Sequence, residues 1–200
     1  MGLLFRMVCL GVLVGVVRKP QPPPFQLKTG DVVFQASKSS RSAMIRAASD
    51  SPYSHVGLVE VTDAGAFVIE AIQPVSRTPW ETWYARGIDS KFTVIRAKKA
   101  SPEDLAKVVA TAKAWVGRPY DARYRLDDER LYCSELVMKA FAAVGIEAGT
   151  LQPISSLTLN AAMRTLAKSR GVDLEQKLVT PASIAVDDDF TTAFSSWAAD

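Results

Sequence analysis

Hydrophobic and polar positions alternate along most of this chain, with the period switching several times between two and about 3.6. Residues 30–35, GDVVFQ, are an apolar run after a turn glycine and predict a strand. Residues 39–49, SSRSAMIRAAS, predict a short helix led by serine caps. Residues 54–61 and 66–72 are apolar and β-branched, and Asp63-Ala64-Gly65 between them predicts a hairpin. Residues 78–85, TPWETWYA, predict an aromatic helix capped by Thr78 with Pro79 at its first position. Residues 92–97 predict another strand. Ser101-Pro102-Glu103-Asp104 opens a helix through a capping box, and Leu105, Val108, Val109, Ala112 and Val116 keep its period until Gly117 and Pro119. Residues 133–144 predict a second strong helix with Leu136, Val137, Ala140, Phe141 and Val144 on one face. Residues 155–169 predict a third, and residues 178–185 an extended tail. Strands and helices do not alternate regularly, so the class is α+β rather than a doubly wound parallel sheet.

The N-terminus is of another kind. Residues 7–17, MVCLGVLVGVV, form an unbroken apolar run with Arg6 before it and Arg18-Lys19 after it. About 20 residues are needed to cross a bilayer, so the length fits the apolar region of a secretory signal better than a span. Residues 1–18 are expected to be a signal peptide or membrane anchor, which puts the protein in an exported, periplasmic or cell-envelope setting. Residues 19–26, with Pro22-Pro23-Pro24, form a stiff spacer. Residues 27–186 are expected to form the one folded domain and residues 187–200 a C-terminal tail.

Composition then narrows the chemistry. The chain has 200 residues, 48% hydrophobic, with 24 basic and 21 acidic side chains. That balance carries no basic excess for nucleic acid. One histidine and two cysteines exclude a multi-histidine metal site and a zinc ribbon, and no metal or cofactor is expected. Cys9 lies in the apolar run, so cleavage there would leave Cys133 alone, unable to form an intramolecular disulfide.

Cys133 stands at the start of a strong helix. Positive partial charge and free N–H groups there favour a thiolate and can receive an oxyanion. The bland alternative is a small buried hydrophobe. His55, in Tyr53-Ser54-His55-Val56-Gly57, opens a strand, where a ring can be aimed. Glu70 sits inside the next apolar strand, where a carboxylate needs a partner. If residues 61–64 make a four-residue loop, Glu70 falls directly opposite His55. The three side chains together supply nucleophile, base and orienter.

The segments LKTGDVVFQ (27–35), SPYSHVGLVE (51–60), FVIEA (67–71), VGRPYD (116–121), YCSELV (132–137) and TPASI (180–184) carry a resemblance. The chain resembles the YiiX/YebB-like family of circularly permuted papain-fold cysteine hydrolases, within the NlpC superfamily. The order is the telling part, because the histidine strand precedes the cysteine helix. The resemblance covers residues 27–185 or so and implies an antiparallel β-sheet or barrel packed against helices. It implies Cys133 as nucleophile, His55 as base and Glu70 as third polar residue. It also implies an exported bacterial enzyme that cleaves amide bonds, with peptidoglycan peptides as substrate.

Tyr53, Tyr120 and Tyr132 each offer a hydroxyl near these motifs; Tyr53 and Tyr120 are candidates for the oxyanion hole, against a reading as packing aromatics. Lys38 and Arg41 are candidates to receive a substrate carboxylate, against a reading as solvated charges. The expected cleft walls are Tyr53, Tyr120, Asp121 and residues 35–41, polar and aromatic rather than a long apolar groove. That favours a short polar peptide over a lipid chain. Acyl transfer to a lipid or amine is the nearest rival, disfavoured because Ser134-Glu135-Leu136 follows the cysteine. A non-catalytic envelope-peptide binder is the second alternative.

Overall fold

The structure is a computed structural model that describes residues 25–197. Residues 1–18, Cys9 and most of the proline spacer lie outside the described residues. Among the described residues no helix is long and apolar enough to cross a membrane.

In chain order the elements are β1 (Val32–Gln35), α1 (Ser40–Ser49), β2 (His55–Thr62), β3 (Gly65–Glu70), β4 (Ser76–Pro79), α2 (Trp80–Arg86), β5 (Thr93–Ala97), α3 (Pro102–Lys113), α4 (Cys133–Ala142), β6 (Gln152–Pro153), α5 (Ala161–Ser169), β7 (Lys177–Leu178), α6 (Pro181–Ala185) and β8 (Phe190–Ser195). Six strands form one antiparallel sheet in the order β4-β3-β2-β1-β5-β8, and β6 and β7 pair separately.

The sheet is buried on both faces because its strands alternate between two cores. Val32, Phe34, Val56, Leu58, Ile69 and Ile95 join Val108, Leu136, Val137, Phe141 and Ile184 from α3, α4 and α6. Val33, Val59, Val68 and Val94 join Trp80, Trp83, Tyr84 and Phe92 on the other face. Trp80 and Trp83 stack with centroids 5.2 Å apart. The central strands therefore read as continuous apolar runs.

Five expectations change. The hairpin closes over Asp63-Ala64, with Thr62 opposite Gly65 and Leu58 opposite Ile69, so the four-residue loop and the direct His55–Glu70 pairing are not formed. Gly65, at φ +116°, permits that tight reversal. Thr78 is not a helix cap: it belongs to β4 opposite Val68, and Pro79 is the residue before α2. Residues 155–169 are helical only from Ala161, because the Asn160 side chain caps Met163 N–H at 2.9 Å; before it lies a single tight turn, Ile154–Ser156. The extended tail at 178–185 contains α6, capped by Thr180 with Pro181 at its first position. Residues 187–200 likewise do more than trail, since β8 is the sheet edge beside β5.

Candidate functional site

The first turn of α4, the start of β2 and the end of β3 meet at one end of the sheet. Tyr132 precedes α4 without a side-chain cap of its own, while Glu135 reaches back to accept the Tyr132 N–H at 3.2 Å. This leaves the thiol of Cys133 on the first turn, 5% exposed. The thiol hydrogen-bonds the His55 imidazole, and the Val56 backbone N–H also points at it. His55 Nε2 lies 2.5 Å from Glu70 Oε2, which leaves Nδ1 for the thiol.

The His55–Glu70 contact is diagonal across the hairpin. His55 and Gly57 share one face of β2, and Val68 and Glu70 share the same face of β3. The register puts Gly57 across from Glu70. A Cβ on Gly57 would lie 2.5 Å from Val68 Cγ1, 3.0 Å from Ile69 O and 3.3 Å from Glu70 Cβ. The missing side chain at Gly57 is what lets the carboxylate lean towards the ring.

Glu70 is completely buried and has three partners. Besides His55, Arg86 Nη2 donates to the same Oε2 at 2.5 Å, and Thr78 Oγ1 donates to Oε1 at 2.6 Å. Burial pushes the carboxyl up, but the His55 hydrogen bond, the His55 and Arg86 charges and Thr78 outweigh it and hold it at about 2. Burial likewise pulls the His55 imidazolium down, but hydrogen bonds to Cys133 and Glu70 raise it to about 9. Burial of the Cys133 thiol favours its neutral form, and the hydrogen bond and charge of His55 reverse this, so the thiol is lowered. The two groups share one hydrogen bond, which favours thiolate with imidazolium more than either group would alone.

Two cavities open beside Cys133. One, of about 160 Å³, is walled by Met44 and Ile45 of α1, Leu157 and Leu159, Met163 and Leu166 of α5, and Val179. The other, of about 260 Å³, is walled by Gln35, Ser37, Ser42, Gln73, Arg86 and His55, with Ile45, Ala71 and Ile72 as its apolar part. Arg41, Tyr120, Ser54 and Cys133 line both.

Of the expected site residues, Cys133, His55, Glu70 and Tyr120 are brought together. Tyr120 N–H is held by Gln73 Oε1 at 2.7 Å, its ring carries the Arg41 guanidinium at 5.6 Å, and its hydroxyl bonds Tyr124. Burial and the Cys133 charge push the Tyr120 phenol up, so it stays a neutral donor. Tyr53 is not at the site. Its hydroxyl bonds Thr93 Oγ1 at 2.9 Å and its ring packs on Phe34 and Trp197. Lys38 is exposed and lines neither cavity, whereas Arg41, in the first turn of α1, lines both. Asp121 is no cleft wall: it is buried and accepts Arg123 N–H at 2.8 Å and Arg125 N–H at 2.5 Å, shaping the loop before α4. Tyr132 is structural, its hydroxyl accepting Val179 N–H at 3.1 Å.

Arg86 and Thr78 were not foreseen. Their distance from Glu70 in sequence hides the contact, although the warning that a carboxylate in an apolar strand needs partners applied. The apolar cavity overturns the expectation of polar and aromatic walls with no apolar groove, because α1, residues 154–172 and 178–181 converge only in three dimensions.

Comparison with known proteins follows the same geometry. Residues 26–194 match the model of the permuted papain-like amidase enzymes of the YaeF/YiiX type, family C92. The chain is 34% identical to the uncharacterized protein YiiX of Escherichia coli (strain K12), over 96% of each chain. Its fold is similar to the crystal structure of metalloprotein yiiX from Escherichia coli O157:H7, with TM-score 0.82 and 35% identity over 87% of this chain and all of that one. With the histidine strand ahead of the cysteine helix and an antiparallel sheet packed against helices, the chain belongs to the permuted papain-like amidase family C92, the YaeF/YiiX cysteine peptidases and amidases.

Proposed function

We propose that this protein cleaves an amide that joins an aliphatic acyl group to a polar amine, through a thioester on Cys133. The observation that carries this reading is the placement of the Cys133–His55–Glu70 contact at the boundary between an apolar and a polar cavity. The thiolate attacks the carbonyl carbon, forming the C–S bond and moving the carbonyl electron pair onto oxygen. The Cys133 backbone N–H, on the first turn of α4 with no helix carbonyl to bond, receives that oxyanion. The imidazolium of His55 protonates the departing nitrogen as the C–N bond breaks. Neutral His55 then takes a proton from water, hydroxyl adds to the thioester, and the carboxylic acid leaves as the C–S bond breaks. Glu70 fixes the ring and stabilises its positive charge, and Arg86 and Thr78 keep Glu70 ionised and in place.

A peptidoglycan stem peptide is polar and suits the second cavity, but it leaves the apolar one without an occupant. An aliphatic acyl amide suits both. The apolar cavity also supports a second reading, transfer of the same acyl group to an amine instead of water, since both begin with one thioester. Export by residues 1–18 belongs to this proposal as the setting in which such amides meet the enzyme.

The related E. coli protein is described as a metalloprotein, and the residues here do not fit a resident metal. Among the described residues no three His, Cys, Asp or Glu side chains converge on one point. Cys133, His55 and Glu70 lie in series, thiol to ring to carboxylate, and Glu70 is already paired with the Arg86 cation.

The test is a thiol-directed probe followed by acyl donors. An activated Cys133 reacts below pH 8 with an alkylating agent and forms a mass adduct with an octanoyl donor. A protein that binds octanoyl amides without either reaction is a binding module instead.

A further inference from the structure

The polar cavity has a charge pattern that the cleavage chemistry does not require. Outside the reacting Cys133–His55 pair, its cationic side chains are Arg41 and Arg86, and its other polar walls, among them Gln35, Ser37, Ser42 and Gln73, are neutral. No aspartate or glutamate lines it. The nearest acid, Glu70, is fully buried behind His55 and Arg86, with both oxygens already bonded. Arg86 gives one Nη to Glu70, is 35% exposed and lines the cavity. Arg41 has no acidic partner among the described residues and is held over the Tyr120 ring at the junction of the two cavities. Gln35 Oε1 is buried without a partner. Glu70 offsets the charge of Arg86, while Arg41 is left with no carboxylate beside it among the described residues. A cationic amine is repelled here, and an anion finds two guanidinium groups.

We infer that the polar cavity is the leaving-group subsite and that it selects an amine bearing an anionic group, a carboxylate or a phosphate, through Arg41 and Arg86. This rests on the reading of Cys133 as the nucleophile towards an aliphatic acyl amide. The carbonyl sits at Cys133, where the two cavities meet, so its two substituents diverge. With the acyl chain among Met44, Leu159 and Leu166, the nitrogen side can lie only towards Arg86 and Gln35.

The test uses one octanoyl chain on four amines: glycine for a carboxylate, phosphoethanolamine for a phosphate, ethanolamine for a neutral group and putrescine for a cation. Binding is measured by calorimetry on the Cys133→Ala protein, and cleavage on the unaltered chain. One or both anionic conjugates are expected to bind and be cleaved at least about tenfold better than the putrescine conjugate, the gain of a charged hydrogen bond. Which of the two leads separates an amino-acid amide from a phospholipid-like one. In Arg41→Gln that ratio falls towards one, and Arg41→Lys recovers part of it. Equal binding of all four conjugates, or preference for putrescine, overturns the subsite. An octanoyl adduct on Cys133 from an activated octanoyl ester shows separately whether the nucleophile reading stands. Its presence with equal binding sinks only the subsite, and its absence sinks both.

Discussion

Replacing Glu70 by glutamine should lower the basicity of His55 while leaving the fold in place. The substituted amide can keep the geometry: its oxygen accepts from His55 and Arg86, and its NH2 group donates to the Thr78 hydroxyl, which turns to accept. What disappears is the charge. Glu70 is fully buried and titrates at about 2 instead of 4.5. At about 1.4 kcal/mol per unit, the folded protein favours the carboxylate by roughly 3 kcal/mol. That stability is present above the ordinary carboxylate range and is lost as pH falls towards 2. With the hydrogen bonds retained, the variant should lose about 1–3 kcal/mol near neutrality. The effect on His55 is more diagnostic. Its imidazolium, raised to about 9, is supported by Cys133 first and by Glu70 second. Loss of the Glu70 anion, with Arg86 left uncompensated beside the ring, should bring it down by about one unit. His55 is the single histidine of the chain, so its ring gives one Cε1–H resonance that can be titrated by NMR without any substrate. Urea unfolding supplies the stability. A folded Glu70→Gln protein whose His55 midpoint moves by less than ~0.3 unit would refute the claim that Glu70 governs this imidazole. Cleavage should fall less in Glu70→Gln than in His55→Ala.

Gly57→Ala should cost about 1–3 kcal/mol in urea unfolding, because its Cβ meets Val68 Cγ1 at 2.5 Å; it should also lower the His55 midpoint, and an unchanged midpoint would show that the diagonal contact does not need this gap. Glu135→Gln should stabilise the protein by about 1–3 kcal/mol at pH 8. Burial raises the Glu135 carboxyl to about 7 against the pull of Lys139 and the Tyr132 N–H, so its contribution is full below about 4.5 and is lost as pH rises through 7. The gain should therefore shrink as pH is lowered to 5, and a gain independent of pH would count against this cause. A periplasm-only reporter fused after residue 26 should be active; activity of a cytoplasm-only reporter would overturn export.

What could be read from the chain was what local chemistry determines. The capping box at Ser101 and Asp104, the strong apolar face of α4 and the position of Cys133 all follow from a few adjacent residues. So do the histidine at the head of β2 and the need of Glu70 for partners. The helix at 181–185 was legible too, since Thr180-Pro181 is a cap followed by proline at the first position, the same signal as at Ser101-Pro102. β8 carried a β-branched pair, Thr191-Thr192, between phenylalanines. The register of the hairpin was not legible, because a four-residue loop over residues 61–64 and the observed reversal over Asp63-Ala64 differ in every cross-strand pair by two residues, and the turn residues suit both. Nor was the role of Arg86, which reaches Glu70 from the far end of α2. The apolar cavity was hidden for a related reason. Met44, Leu159, Leu166 and Val179 belong to four segments, and each one alone reads as ordinary amphipathic or loop sequence.

The measurement that bears most directly on the central claim is the intact mass of the protein after brief exposure to an activated octanoyl ester, quenched in acid and mapped by digestion. The thioester mechanism predicts a single octanoyl group on the peptide that carries Cys133. It should be absent from Cys133→Ala and strongly slowed in His55→Ala, with both variants folded by circular dichroism. Folded, unmodified protein at Cys133, or an adduct that persists in Cys133→Ala, would contradict it.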